Sequence, residues 1–223
     1  MGTIRIPLLS ILTILLMVLA TGSFAGVWED NFDDGNVDDW NEISGDWEVK
    51  DGIYQQTTMT AEYQKSINGT EGFTDYTLEV DVTIVEGGGG STSICAGVLM
   101  RTDATGSAGY RFWVRNDTNG FQFSVWMENT FKHVIVNAAE VATPGQVYHL
   151  KVQIEGFNIS AWVDDRIMVE DHLEADGLFP SGLIGLINYN SHAQYDNLTI
   201  SGADIIAVAP AGKLATKWGS IKN

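Results

Sequence analysis

The chain has 223 residues, 44% of them apolar, with twelve Lys and Arg against twenty-nine Asp and Glu, four His, seven Trp and one Cys. A formal charge of −17 works against general DNA or RNA binding and against docking on an anionic membrane, because the phosphate attraction that dominates such contacts turns into repulsion. One Cys excludes a disulfide framework and every multi-thiolate zinc pattern, so packing, helped at most by a hard cation, holds a fold whose length favours one large domain.

Residues 1–25 have the anatomy of a secretory signal: Arg5, a mostly apolar run from Ile6 to Ala20, then Ser23-Phe24-Ala25 with small residues before a cleavage point. The run contains Pro7, Ser10 and Thr13 and is short for a membrane helix, which needs about 20 apolar residues. No stable span is expected after cleavage. A lipoprotein signal would need a Cys directly after the run, and the single Cys is Cys95. Export without disulfides points to a bacterial envelope or extracellular protein.

From Gly26 the pattern alternates with period two and is punctuated by Gly, Asn and Asp. A hairpin is expected over Trp47 to Gln56 with its turn at Asp51-Gly52, and strands over Leu78 to Ile84 and Ser93 to Arg101. Tyr110 to Arg115, Phe121 to Glu128, Phe131 to Asn137 and Tyr148 to Ile154 follow. Phe157 to Val163, Arg166 to Asp171, Leu183 to Tyr189 and Ala193 to Ile200 complete the set. About a dozen short strands predict an all-β, two-sheet antiparallel sandwich of jelly-roll type over 26–201. Gly87 to Gly90 reads as a strand connection, since no Lys-Ser/Thr pair follows it to make a phosphate cradle. Beyond Ser201 the alternation stops, and 202–223 reads as an appended tail, either a recognition peptide or a frayed end.

The strands Tyr110 to Arg115 and Phe121 to Glu128 are expected to pair through Asn116 to Gly120. Tyr110, Phe112, Val114, Phe121, Phe123, Val125 and Met127 then point inward. The other face presents Arg111, Trp113, Arg115, Gln122, Ser124, Trp126 and Glu128. Two tryptophans among hydrogen-bonding groups suit a sugar, whose C–H faces lie on aromatic rings while its hydroxyls meet polar side chains; the bland alternative is that loops or the tail cover the face and make the tryptophans ordinary packing. Trp162 poses the same question on a strand whose sheet the alternation does not reveal.

Three passages carry a family likeness: "DNFDDGNVDDWNEISGDWEVKDGIYQQ", "CAGVLMRTDATGSAGYRFWVRN" and "QYDNLTI". They resemble the opening, central and closing strands of the concanavalin A-like lectin/glucanase superfamily, particularly its laminin-G-like and 3-keto-disaccharide-hydrolase-like bacterial modules. The likeness implies the sandwich fold. It leaves activity open, because the fold hosts lectins, binding modules and hydrolases alike.

Laminarinase-like members carry Glu-x-Asp-x-Glu or Glu-x-Asp-x-x-Glu on one strand face. Glu79-Val80-Asp81 matches its first half, but Thr83 and Ile84 stand where the acid/base should be, and retaining hydrolysis needs two carboxyls about 5 Å apart. The strand therefore reads as one with a solvated polar face. Arg101 matches the Gly-hydrophobic-Arg strand of the 3-keto type, while the carboxylates of that chemistry find no match. Cys95 lies among Ile94, Ala96 and Val98 and reads as a buried thiol. The likeness further implies one structural calcium ion shared by the chain ends, with Asp30 and Asp196 as matching ligands and Asp33 or Asp34 and carbonyls near Gly45 as additions.

These observations lead to the expectation of a secreted or envelope carbohydrate-binding or adhesion module without catalysis. Its partner is a glycan or polysaccharide, met by Arg101, Arg111, Trp113, Arg115, Gln122, Trp126 and Glu128. The alternatives are a glycoside hydrolase of the 3-keto-disaccharide type acting from the same sheet, and a structural envelope module displayed through its tail.

Overall fold

The computed structural model describes residues 26–203 and 205, apart from 90–92, 118, 129, 139 and 175; the expected signal and most of the tail lie outside the described residues. All its regular structure is strand. In chain order the strands are β1 (Gly26–Asp30), β2 (Trp40–Ser44), β3 (Trp47–Lys50), β4 (Ile53–Gln56), β5 (Tyr63–Phe73), β6 (Tyr76–Gly87), β7 (Cys95–Thr102) and β8 (Ala108–Arg115). They continue as β9 (Gln122–Met127), β10 (Thr130–Asn137), β11 (Val147–Glu155), β12 (Asn158–Val163), β13 (Arg166–Leu173), β14 (Gly182–Tyr189) and β15 (Ser191–Gly202).

Two antiparallel sheets result. The eight-stranded sheet runs β13-β12-β11-β6-β15-β4-β3, with β1 also on β15; the seven-stranded sheet runs β10-β9-β8-β7-β14-β5-β2. The long closing strand pairs with β6 along one edge and with two strands along the other, β4 taking its Ala193–Tyr195 stretch and β1 its Leu198–Gly202 stretch. Tight turns occur where the residues allow them: Asp51-Gly52 and Asp164-Asp165 all have positive φ, the geometry that matches the twist of a two-residue hairpin.

The core lies between the sheets. Leu78, Val80, Val82 and Ile84 of β6 and Leu150, Val152 and Ile154 of β11 face Ala96, Val98 and Met100 of β7 and Tyr110, Phe112 and Val114 of β8. Each Val, Leu, Ile, Met or Phe among them contributes about 1.5–3 kcal/mol on burial. Phe32, Trp40, Trp47 and Tyr54 fill one end, with ring centroids 5.0 to 5.6 Å from Tyr54. The sandwich has fifteen strands where about a dozen were expected.

Strands β1, β2 and β5 are absent from the alternation reading. In β5 the inward residues Gln64, Ser66 and Asn68 are polar and buried, so the strand has no apolar stripe to announce it. Two of them find partners, the Ser66 hydroxyl 2.9 Å from the Tyr54 hydroxyl and Gln64 Nε2 donating to Thr60 Oγ1 at 3.0 Å, while Asn68 Nδ2 is buried without one.

Candidate carbohydrate-binding face

The hairpin of β8 and β9 orients the expected residues as alternation requires. Tyr110, Phe112, Val114, Phe121, Phe123 and Val125 join the core, leaving Arg111, Trp113, Arg115, Gln122, Ser124 and Trp126 on the outer face of the seven-stranded sheet. There a second, smaller apolar cluster forms from Ile67, Leu99, Trp126 and Ile187, with Ile43, Tyr63 and Leu183 packed against it.

At its centre the Arg111 guanidinium sits between two indoles, 3.5 Å from the Trp113 ring centroid and 4.4 Å from that of Trp126. A desolvated cation between aromatic faces is the strong form of the cation–π contact. Burial pulls the Arg111 pKa down to about 9, yet it remains charged at neutral pH. Gln122 ties the hairpin together: its Oε1 accepts from Arg111 Nη2 at 3.3 Å, Trp113 Nε1 at 3.2 Å and Arg115 Nη1 at 3.2 Å, and its Nε2 donates to Asn137 Oδ1 at 2.8 Å. Arg115 is further held by Asp117 in an ion pair. That contact and backbone N–H bonds outweigh the cost of burial and keep the Asp117 carboxyl below its ordinary range.

The expectation that Trp113 and Trp126 stand open to solvent is corrected: they are 2% and 0% exposed. Two distant segments cover them. Tyr63 of β5 lies 4.7 Å edge-on from Trp126 and stacks toward Trp113 at 6.3 Å, and Tyr189 of β14 lies 5.1 Å from Tyr63. The loop after β7 folds over the other side, with the Gly106 carbonyl accepting from Trp126 Nε1 at 3.1 Å and the Thr105 carbonyl accepting from Lys65 Nζ at 3.0 Å. Asp103 makes that loop rigid by accepting from Thr105 and Ser107. Burial opposes ionisation, but these bonds hold its pKa down to about 2. The half-buried rim left for a ligand is Tyr63, Tyr189, Ser93 and Asp117, with Asn137 exposed.

Arg101 and Glu128 do not join this group. Arg101 has a positive φ beside a register shift between β7 and β14. Its guanidinium is spent on backbone carbonyls, donating to Thr74 at 3.1 and 2.7 Å and to Phe179 at 2.9 Å, so it clamps two loops and offers nothing to a sugar. Glu128 follows the end of β9, exposed and with positive φ. Sequence reasoning missed Tyr63, Tyr189 and Asn137 because other strands bring them in. Cys95 is buried, and burial pushes its thiol up to about 11, which suits packing and not nucleophilic attack.

Glu79 and Asp81 lie on the outer face of the other sheet, where His149 Nδ1 is 2.8 Å from Asp81 and Nε2 is 3.2 Å from Glu79. A calcium ion held at Asp30 and Asp196 would need six to eight oxygens. Asp30 Oδ1 accepts from the Phe32 N–H at 2.9 Å and Oδ2 from Trp40 Nε1 at 3.0 Å. Among the described residues no three His, Cys, Asp or Glu side chains gather to hold a metal.

The Asp196 pKa is raised by burial and then by the Asp81 and Asp33 carboxylates. An acid raised in the folded state favours folding when protonated, and that contribution is lost as pH climbs from its unfolded value, about 3.9, through the folded one. Asp196→Asn should therefore raise the melting temperature at pH 7 by about 1–3 °C, with and without added calcium. A calcium-dependent rise in the native protein that this substitution abolishes would instead establish the ion.

Residues 27–201 match the 3-keto-alpha-glucoside-1,2-lyase-like domain family. The chain is 31% identical over 169 residues to a levanase of Bacillus subtilis (strain 168), covering 74% of this chain but only 23% of the levanase. Among solved structures it resembles carbohydrate binding module CBM66 from Bacillus subtilis, with TM-score 0.64, 23% identity, and coverage of 74% of this chain and 96% of that module. A beta-glucanase of Bacillus licheniformis superposes with TM-score 0.56 at 11% identity, over 79% of this chain and 97% of the enzyme. These likenesses agree with the concanavalin A-like fold implied by the three sequence passages.

Proposed function

Because the chain belongs to the 3-keto-alpha-glucoside-1,2-lyase-like domain family, and matches a levanase over only about a quarter of that enzyme's length, we propose that it is an exported carbohydrate-binding domain without catalysis of its own. The observation that carries this reading is the outer face of the seven-stranded sheet. There a buried Trp113-Arg111-Trp126 stack holds the half-buried rings of Tyr63 and Tyr189 in place beside the Arg115-Asp117 pair, Ser93 and Asn137. Rigid aromatic rings beside fixed donors and acceptors are what a sugar ring needs, and their prior ordering lowers the entropy cost of binding. Trp113 and Trp126 act here from beneath, as supports.

Levan and mixed-linkage β-glucan in affinity electrophoresis test this reading. Stacking on a tyrosine contributes about 0.5–1.5 kcal/mol, so Tyr189→Ala should weaken retardation by about threefold to tenfold, with Tyr63→Ala acting in the same direction. Retardation unchanged in both variants would remove this face as the binding site.

The alternative reading, a glycoside hydrolase of the 3-keto-disaccharide type acting from the same face, draws on the family's description, which names a 3-keto-alpha-glucoside-1,2-lyase-like domain. Asp117, the carboxylate on the rim, is engaged by Arg115 and is not a free acid or base of a retaining pair. Turnover of 3-keto glycosides by the native chain would shift the conclusion to catalysis.

A further inference from the structure

Of the six tryptophans among the described residues, Trp28, Trp40, Trp47, Trp113 and Trp126 are buried and Trp162 alone is not. It stands on β12, where the inward residues Ile159, Ala161 and Val163 belong to the core, so its indole lies on the outer face of the eight-stranded sheet. Its neighbours across the strands are Lys151 on β11 and Ile167 on β13, and Ile167 is exposed.

A continuous polar network leads away from the ring. Lys151 Nζ lies 5.9 Å from the Trp162 ring centroid and pairs with Glu79 Oε1 at 3.3 Å. Glu79 Oε2 lies 3.2 Å from His149 Nε2, and Asp81 Oδ1 lies 2.8 Å from His149 Nδ1. Asn197 Nδ2 closes the chain by donating to Asp81 Oδ2 at 2.9 Å. The side chains of Lys151, His149, Glu79 and Asp81 are 27 to 37% exposed, so each keeps hydrogen-bonding capacity toward solvent. Burial acts to lower the His149 pKa, but its bonds to Asp81 and Glu79 outweigh that and raise it, which favours an imidazole that donates through both nitrogens. The row Trp162, Lys151 and Glu79 crosses three adjacent strands, about 10 Å from end to end.

The chemistry of this row selects its ligand. Donors and anionic acceptors are interleaved, so an anion would meet Glu79 and Asp81 and a cation would meet Lys151. A neutral hydroxylated surface can donate to one and accept from the other at every step, while an indole face takes up sugar C–H groups. We propose that the outer face of the eight-stranded sheet is a second glycan-contact surface, with Trp162 stacking on a neutral sugar ring and Lys151, Glu79, His149 and Asp81 bonding its hydroxyls. This rests on the carbohydrate-binding reading of the domain but not on the β8-β9 face. Two contact surfaces on opposite sheets let one domain engage two stretches of polysaccharide, raising retention without a stronger individual contact.

The test uses the native chain, Trp162→Ala, Tyr189→Ala and the double variant on levan and on mixed-linkage β-glucan, with circular dichroism and melting curves as folding controls. Trp162→Ala is expected to lower retention by about threefold to tenfold, and the double variant to lose the product of the two single effects, since separate sites contribute additively in free energy. Retention unchanged in Trp162→Ala overturns this surface and leaves the β8-β9 face standing. Loss in Trp162→Ala with none in Tyr189→Ala or Tyr63→Ala supports it and removes the other face. Failure of the native chain to bind either polymer removes both. A dimer in sedimentation that Trp162→Ala dissolves, with retention unchanged, would assign the face to a second copy of the chain and overturn the proposal.

Discussion

Trp126→Ala is expected to lower the stability of the domain by about 4 kcal/mol, within the range for emptying a buried Trp site, and its melting temperature by about 8–16 °C. The indole is 0% exposed, packs with Ile67, Leu99 and Ile187, lies 4.4 Å from the Arg111 guanidinium and donates to the Gly106 carbonyl at 3.1 Å. Truncation removes one wall of the cation's sandwich, leaves the Gly106 carbonyl with only its 3.4 Å bond from Lys65 Nζ, and leaves a cavity that the flanking strands are too rigid to close. Trp126→Phe keeps a ring against Arg111 and should cost less than half as much. Urea unfolding of both variants measures the difference. A loss below about 1 kcal/mol in Trp126→Ala would restore the open tryptophan platform that the sequence suggests, because a solvent-facing ring leaves little cavity behind.

Gly97→Ala should be strongly damaging, on the order of 4 kcal/mol or loss of soluble protein altogether. Gly97 pairs with Trp113 between β7 and β8. A Cβ there would stand 2.2 Å from the Phe112 carbonyl oxygen, 2.4 Å from Trp113 Cα and 2.5 Å from Trp113 Cβ. Two of these atoms are backbone, so relief requires the strands to separate in the middle of the sheet, breaking ladder hydrogen bonds and tilting the Trp113-Arg111-Trp126 stack. Gly89, with nothing within 4 Å of its notional Cβ, provides the control: Gly89→Ala should stay within about 0.5 kcal/mol of the native chain. Equal unfolding midpoints for the two variants would show that the close approach at Gly97 does not constrain the sheet.

Much of the fold is legible in the chain itself. Leu78, Val80, Val82 and Ile84 alternate with polar residues and are buried, and the Asp51-Gly52 turn and the β8-β9 hairpin form where their residues place them. The assignment of Trp113 and Trp126 to the outer face also follows from period two. Strand β5 was not legible, since its inner face is Gln64, Ser66 and Asn68, and neither was the use of Arg101 as a clamp, which depends on carbonyls of Thr74 and Phe179 that only the assembled sandwich brings near. The sequence likeness that supplied Asp30 could not show that both its oxygens are taken by Phe32 and Trp40.

The sequence by itself determines which side chains share a face, because successive residues of a strand point to opposite sides and no distant partner is needed to establish that. Whether an outer face meets water is decided only in the tertiary structure. β14 inserts between β7 and β5, so that its own Tyr189 and Tyr63 of β5 lie over the hairpin and help bury Trp113 and Trp126, while β12 lies near the edge of the other sheet and leaves Trp162 half-buried. Strand order comes from pairings between segments far apart in the chain, whose free energy depends on the whole assembled surface, and no local pattern of residues encodes it.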